Sequence, residues 1–314
     1  MRALASCLLF AATCFAQQPQ MVAEFTVPDT ARAVVLAQDG KHLVVAISRK
    51  NATLFDVSSR SKMRDLTTTE DVAAANFSPD GTLLGIGMAS GGYQVWNVAN
   101  GKVMQTGDGN KDAAGRLCFS SDGKRMALAS ESGAIRIVDV ATGKSVGPFA
   151  PTFGGTWGMA FSPDGTLATA DEDTNVRLWD RDGKLTRQWE YSLVAPFAVS
   201  FANDGKTLVV GGAAKTVKVV DLASGKATKE FSTGRFVVRT IVLSPDARFA
   251  AVQTMDQNGF GLTAPLQVWD IGSGKKVFEM PSNIEAAMAF DGKSNLLIAK
   301  TKGNTAQLWS VAFR

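Results

Sequence analysis

The sequence predicts an all-β fold: seven units of four short antiparallel strands, stacked radially about an axis. Three observations predict it. A tight-turn signature recurs at a nearly constant interval, a second landmark closes each interval, and no stretch carries a helical period. The hexapeptide FSPDGT, at residues 77–82 and again at 161–166, is where the repetition first shows.

Counted from the aromatic or aliphatic residue before each turn, the units begin at Leu36, Phe77, Phe119, Phe161, Phe201, Leu243 and Phe290, with spacings of 41, 42, 42, 40, 42 and 47. The turns that follow read AQDG, SPDG, SSDG, SPDG, ANDG and SPDA. Proline presets φ at the second position, Asp accepts local backbone hydrogen bonds, and Gly takes the left-handed exit. The last unit departs, with Asp291-Gly292-Lys293 after Phe290 keeping the length but not the chemistry. Each unit closes on Phe55-Asp56, Trp96-Asn97, Val138-Asp139, Trp179-Asp180, Val220-Asp221, Trp269-Asp270 or Trp309-Ser310. In five units a hairpin turn ending in Gly-Lys comes next, at Gly101, Gly143, Gly183, Gly225 and Gly274. Between the landmarks lie strand-length apolar or alternating runs, such as 207–211 and 217–221. One such sheet cannot bury both its faces, whereas seven stacked together can.

The chain is preceded by a different kind of segment. Met1-Arg2 gives a small positive end, residues 3–12 are apolar, and Cys14-Phe15-Ala16 places small residues two apart before the polar Gln17-Gln18-Pro19-Gln20. This pattern predicts a secretory signal over residues 1–16, cleaved after Ala16, with an apolar part too short to span a bilayer. Lipidation at Cys14 is disfavoured because Ala11 stands where such signals carry Leu. After cleavage Cys118 remains alone of the three cysteines, with no disulfide partner, in an apolar strand pattern that predicts burial. A net charge of +4 with both signs dispersed gives no basic run for nucleic acid, and no later stretch is long and apolar enough for a membrane helix.

The units resemble those of the WD-repeat (tryptophan–aspartate repeat) β-propellers. The resemblance covers residues 21–314, predicted as one domain, and is fullest in FSPDGTLATADEDTNVRLWD at 161–180. It implies a seven-bladed β-propeller with four-stranded antiparallel blades. It also implies ring closure, with the strand pattern at 22–27 supplying the outer strand of the last blade. The Gly-His pair that opens a family repeat is absent here, and the turn Asp that partners that His survives as Asp173. The family's buried hydrogen-bond network is therefore expected to be incomplete, with apolar packing taking a larger share.

Candidate chemistry is sparse. The one histidine, His42, follows Asp39-Gly40-Lys41 at a position that reads Leu83, Arg125 and Thr207 elsewhere, which predicts a solvated, non-catalytic edge. Asp171-Glu172-Asp173-Thr174-Asn175 alternates oxygen donors, but Val176 stands where a calcium loop needs Gly. Gly85, Gly87, Gly91 and Gly92 do not form a phosphate loop, so no metal and no cofactor is expected.

A binding face is the stronger expectation. Four residues before each starting landmark stand Arg32, Ala73, Gly115, Trp157, Phe197, Arg239 and Ala286, which should ring the channel mouth. Trp157, Phe197 and Arg239, with Arg235, Phe236, Tyr191 and Phe153, gather aromatics and arginines over units four to six. Unit six carries an insertion, since Leu243 to Trp269 spans 26 positions against 19 for Phe77 to Trp96. The extra length lies within 255–263 and includes Phe260. Glu70, Asp71, Asp108 and Asp112 make units two and three acidic at the same end. The expected function is a non-catalytic protein- or peptide-binding platform, exported from a bacterial-type cell to the periplasm or beyond. Its contact surface is the loop-rich face over blades four to six, with Arg32 included at the mouth. Alternatives of another class are a carbohydrate- or small-molecule-binding propeller, an enzyme using the channel mouth, or a structural subunit of an assembly.

Overall fold

The protein is described by a computed structural model, covering residues 16–27, 33–46, 50–110, 112–149, 154–256, 264–282, 286–302 and 304–313. Every element within them is a strand, and the strands form seven four-stranded antiparallel sheets. Blades one to six occupy residues 33–67, 72–107, 116–149, 156–190, 196–232 and 237–282. Blade seven joins Ala287–Phe290, Leu296–Lys302 and Thr305–Val311 to Gln20–Thr26, which is its outer strand. Ring closure by the N-terminal strand is as the repeat pattern implied. It is antiparallel, with Gln20 opposite Ser310 and Thr26 opposite Thr305. The first strand of each blade packs on the first strand of the next, and blade seven returns to blade one, so the inner strands close on themselves.

Burial follows each strand's place in its blade. The second strand is covered on both faces, and Phe249–Met255 is buried at six of its seven positions. It opens on an apolar run, Phe249 to Val252, because neither face meets water, and Gln253 and Thr254 are buried after it. The outer strand Lys226–Ser232 is exposed at every position but Phe231, and its sequence is correspondingly charged. The core is therefore a set of wedges between blades. Leu54 and Ala52 of blade one meet Phe77, Leu84, Ile86 and Trp96 of blade two. Phe25 of the N-terminal strand meets Phe55 of blade one, ring centroids 4.8 Å apart, in the wedge that also holds Leu297 and Leu308 of blade seven.

The repeated corner is a small hydrogen-bonded unit. In blade three the Ser120 hydroxyl donates to Asp122 Oδ1 at 2.6 Å and accepts from the Arg125 N–H at 2.9 Å. That hydroxyl, with the Lys124 N–H, holds Asp122 below the usual carboxylate range. Ser162 and the Thr166 N–H do the same for Asp164. Glycine ends five of the corners with φ between 64° and 88°, at Gly40, Gly81, Gly123, Gly165 and Gly205. In blade six Ala247 occupies this place at φ 55°. In blade seven the left-handed residue is Ser294 at φ 60° and not Gly292, because the corner starts at Asp291, whose carbonyl accepts from the Ser294 N–H.

Two outcomes are expected. Ala247→Gly removes a strained left-handed alanine and should raise stability by roughly 1 kcal/mol, net of the added freedom of the unfolded chain, in urea unfolding. Phe25→Ala should cost about 3–5 kcal/mol in the same assay, since the closing strand then leaves a cavity in the wedge of blades seven and one.

Candidate binding face

In an antiparallel blade, the turn between strands two and three lies at the same end as the connection from the outer strand to the next blade. The two sets of loops touch here. The Glu172 N–H donates to the Gly155 carbonyl and the Tyr191 N–H to the Thr174 carbonyl, each at 2.9 Å. At this end the inner strands of blades two, four, five and six carry a β-bulge. Pairing jumps from Val72 to Ala74, Thr156 to Gly158, Pro196 to Ala198 and Val238 to Thr240. The residues left out of the ladder are Ala73, Trp157, Phe197 and Arg239, which are the sequence positions four before each landmark. A bulge frees a side chain from the alternation of the strand and re-aims it, and bulges gather at functional rims.

The freed side chains form one cluster. Trp157 is 41% exposed, and its ring meets Phe197 edge-on with centroids 5.6 Å apart. Blade three has no bulge at this point and contributes Arg116 instead, whose guanidinium lies 6.0 Å over the Trp157 ring. Arg116 Nε donates to the Trp157 carbonyl at 2.8 Å and Nη1 to the Gly115 carbonyl at 2.9 Å. Loss of solvation and the Arg239 charge lower the Arg116 pKa, and the nearby Glu131 partly offsets this. Arg239 is exposed. Arg235 is exposed too and stacks 5.0 Å over Phe236, which is half-buried.

Other predicted members sit elsewhere. Tyr191 is buried between blades four and five, where its hydroxyl donates to the Thr216 carbonyl at 2.9 Å and burial pushes its pKa up to about 12. It offers no surface to a partner. The strand alternation hid this, because Tyr191 lies just beyond the outer strand Leu185–Glu190, on a residue whose backbone is still tied to Thr174. Arg32, Phe153 and Phe260, with most of the blade-six insertion, lie outside the described residues. Sequence reasoning missed Leu193 and Val194, which are 91% and 41% exposed in the connection from blade four to blade five. Their signal was an apolar pair inside a link too short to need one.

The acidic residues face the same end at blades two and three. Glu70 and Asp108 line a cleft of about 360 Å³ with Met88, Ser90 and Asn110. Asp112 accepts the Ser132 N–H at 2.8 Å, and Asp71 offers its carbonyl to the Ala89 N–H.

Three readings of chemistry are refined. Asp171 and Asp173 do not form an open donor set, because Arg177 Nη1 donates to both at 2.8 Å. Asp171 also accepts from the Thr156 and Thr169 hydroxyls at 2.9 Å, and Thr169 accepts the Trp179 indole N–H at 3.1 Å. This replaces a histidine-centred network with an arginine-centred one in blade four. In blade six Trp269 Nε1 donates to Gln267 at 3.3 Å, whereas Trp96 and Trp309 Nε1 have no hydrogen-bond partner among the described residues. His42 is half-buried and not a solvated edge. Its ring stacks on Phe77 of the next blade at 6.3 Å, and Nδ1 lies 3.7 Å from Asp39 Oδ2. Cys118 packs at the wedge of blades three and four, where burial pushes its thiol up to about 12, far from a reactive thiolate at neutral pH.

Comparison with known proteins agrees with the geometry. Residues 147–180 match the family described as "WD domain, G-beta repeat". The chain is 27% identical over 259 residues to transducin beta-like protein 3 of Rattus norvegicus, covering 78% of this chain and 32% of that protein. It is 27% identical over 237 residues to pre-mRNA-processing factor 19 homolog 2 of Arabidopsis thaliana, covering 72% and 36%. The chain thus spans about a third of the length of the curated relatives it matches. A chain in a crystal structure of a mitotic checkpoint complex superposes with a TM-score of 0.76 at 19% identity, over 99% of this chain and 95% of that one, which is a likeness of fold.

The arginine-centred network yields a stability test. Arg177→Met leaves the buried Asp171 carboxylate without its cation and should cost about 3–5 kcal/mol in urea unfolding. Asp180→Asn, in an outer hairpin turn, should stay within about 0.5 kcal/mol of the parent.

Proposed function

We infer that this chain, a WD-repeat-like β-propeller, is a protein- or peptide-binding platform that works through the bulge-lined end over blades four to six. The observation that carries the reading is the exposed aromatic and aliphatic surface at that end. Trp157, Leu193 and Val194 lie open to solvent at the end that also exposes the charged Arg235 and Arg239. Large apolar side chains flanked by arginine are what interface centres are made of, and Trp157 is held on a strand of the rigid scaffold. The relatives support the same reading at the level of the class, since WD-repeat propellers act generally as non-catalytic interaction scaffolds.

Export is part of the proposal. The apolar leader at residues 3–12 and the small residues before Gln17 support it, and the platform would then meet its partner in the periplasm or outside the cell. The mass of the processed chain checks this, with Gln17 expected as the first residue.

The platform is tested by crosslinking capture in the native compartment. The parent chain is compared with a Trp157→Ala/Leu193→Ala/Arg239→Ala variant and with Met104→Ala, which alters an exposed residue of an outer strand. A protein held by the parent and by Met104→Ala but lost by the triple variant, with all three equally stable, is the expected result. Equal retention by the triple variant would move the contact surface off this end.

A further inference from the structure

We propose that the cleft on blade two binds the guanidinium of an arginine side chain of a partner peptide, with Glu70 and Asp108 as its counter-charges and Asn110 Oδ1 accepting one of its N–H groups. The cleft lies at the same end as the bulge-lined face but uses no residue of blades four to six, so it is a contact additional to that face.

Three segments of chain build the cleft. Glu70 belongs to the connection from blade one, Met88 and Ser90 to the turn between the second and third strands of blade two, and residues 106–110 lead from its outer strand toward blade three. Backbone contacts hold the three together. The Thr68 hydroxyl donates to the Glu70 carbonyl at 2.6 Å, and the Ala89 N–H donates to the Asp71 carbonyl at 2.9 Å, which ties the first segment to the turn. The turn and the third segment meet through glycine. A Cβ on Gly109 would lie 1.8 Å from the Gly91 carbonyl oxygen, so no side chain fits between them. Asp108 is therefore carried beside a junction of backbone on backbone.

The cleft offers acceptors and lacks the donors to match them. Among the described residues neither Glu70 nor Asp108 has a hydrogen bond or ion pair through its side chain, and no lysine or arginine lines the cleft. Asn110 adds a second, independent sign. It is 8% exposed and forms part of the wall. Its Nδ2 donates to the Ala134 carbonyl at 2.7 Å, which commits that side of the amide to blade three. Its Oδ1 is buried with no hydrogen-bond partner. A buried acceptor left unpaired is unfavourable, and the cleft is the side from which a donor can come. These groups call for a cation that brings several donors of its own. Among the described residues no three acidic, histidine or cysteine side chains gather, so a bare metal ion would be short of ligands. An ammonium puts three donors at one point, whereas a guanidinium spreads five around a plane and can meet a carboxylate with two at once. Acceptors that stand on different segments suit the spread donors. A volume of about 360 Å³ admits the whole side chain, and Met88 in the wall gives its methylene stem an apolar contact.

The probe is the peptide acetyl-Gly-Arg-Gly-amide, titrated into the full chain and followed by calorimetry and by the amide resonances of the protein. Beside it run versions with Lys or citrulline in place of Arg, and methylguanidinium. Binding of the Arg peptide is expected, with shifts confined to the amides of residues 69–70, 88–92 and 106–110. Affinity should fall about tenfold or more for the citrulline peptide, which keeps the shape and loses the charge, and about threefold or more for the Lys peptide. Asp108→Asn and Glu70→Gln should each cost about tenfold. Neither breaks a bond of the folded chain, so a folding defect does not stand in for a binding one. Asp182→Asn, an equal loss of charge in a hairpin turn at the opposite end, should leave affinity unchanged. Higher salt should weaken the Arg peptide and not the citrulline peptide. The proposal is overturned if no peptide binds, if citrulline or Lys binds as tightly as Arg, if either cleft variant keeps full affinity, or if the shifts fall elsewhere. Methylguanidinium binding as tightly as the peptide would also overturn it, because the ligand would then be a free small guanidine and not a side chain.

Discussion

Everything in this molecule depends on the ring being closed. A blade has two faces and buries each against a neighbour, so an open array of seven would leave two faces in water. The wedges are of one kind throughout, aliphatic residues from second and third strands with an aromatic at the margin, and the one between blades seven and one is as apolar as the rest. Closure by the strand Gln20–Thr26 makes that last wedge possible, because Phe25 and Ala23 supply part of it. A sheet edge is also removed at the junction.

Closure explains the disposition of the functional end. Inner strands are clamped between neighbours and cannot shift to adjust a side chain, so the only local freedom is an extra residue. Four blades use it, and three of the residues so released are Trp157, Phe197 and Arg239. The acidic residues of blades two and three lie at the same end. The end is therefore electrically uneven, basic and aromatic on one side and acidic on the other, although the whole chain carries only +4. A partner approaching it meets an orientation as well as a surface.

Much of this was legible in the residues. The turns and closing landmarks set the number of blades, and their positions match the observed corners in all but the last, where Ser294 takes the place expected of glycine. The ring positions were also legible as a column of residues at a fixed offset. What the sequence did not carry was the reason they matter, since a bulge is a property of pairing between two strands and neither strand shows it alone. The same limit accounts for Tyr191, whose burial is decided by the neighbouring blade, and for His42, which stacks across a blade junction on Phe77. Leu193 and Val194 failed for the opposite reason: apolar residues in a connection were passed over where no strand required them.

The closing strand also sets a timetable. Glu24 accepts a hydrogen bond from Gln307 across 283 positions of chain. Bringing together ends so far apart adds little free energy, since each doubling of a loop costs only about 0.6 kcal/mol. In time, however, it is a long wait. The first strand is made before any of its partners exist, and its edge stays unpaired until the final blade has been made. Glu24, the one charged residue of that strand, stands beside apolar Val22, Ala23 and Phe25, and a charge on a bare strand edge disfavours pairing with the wrong partner.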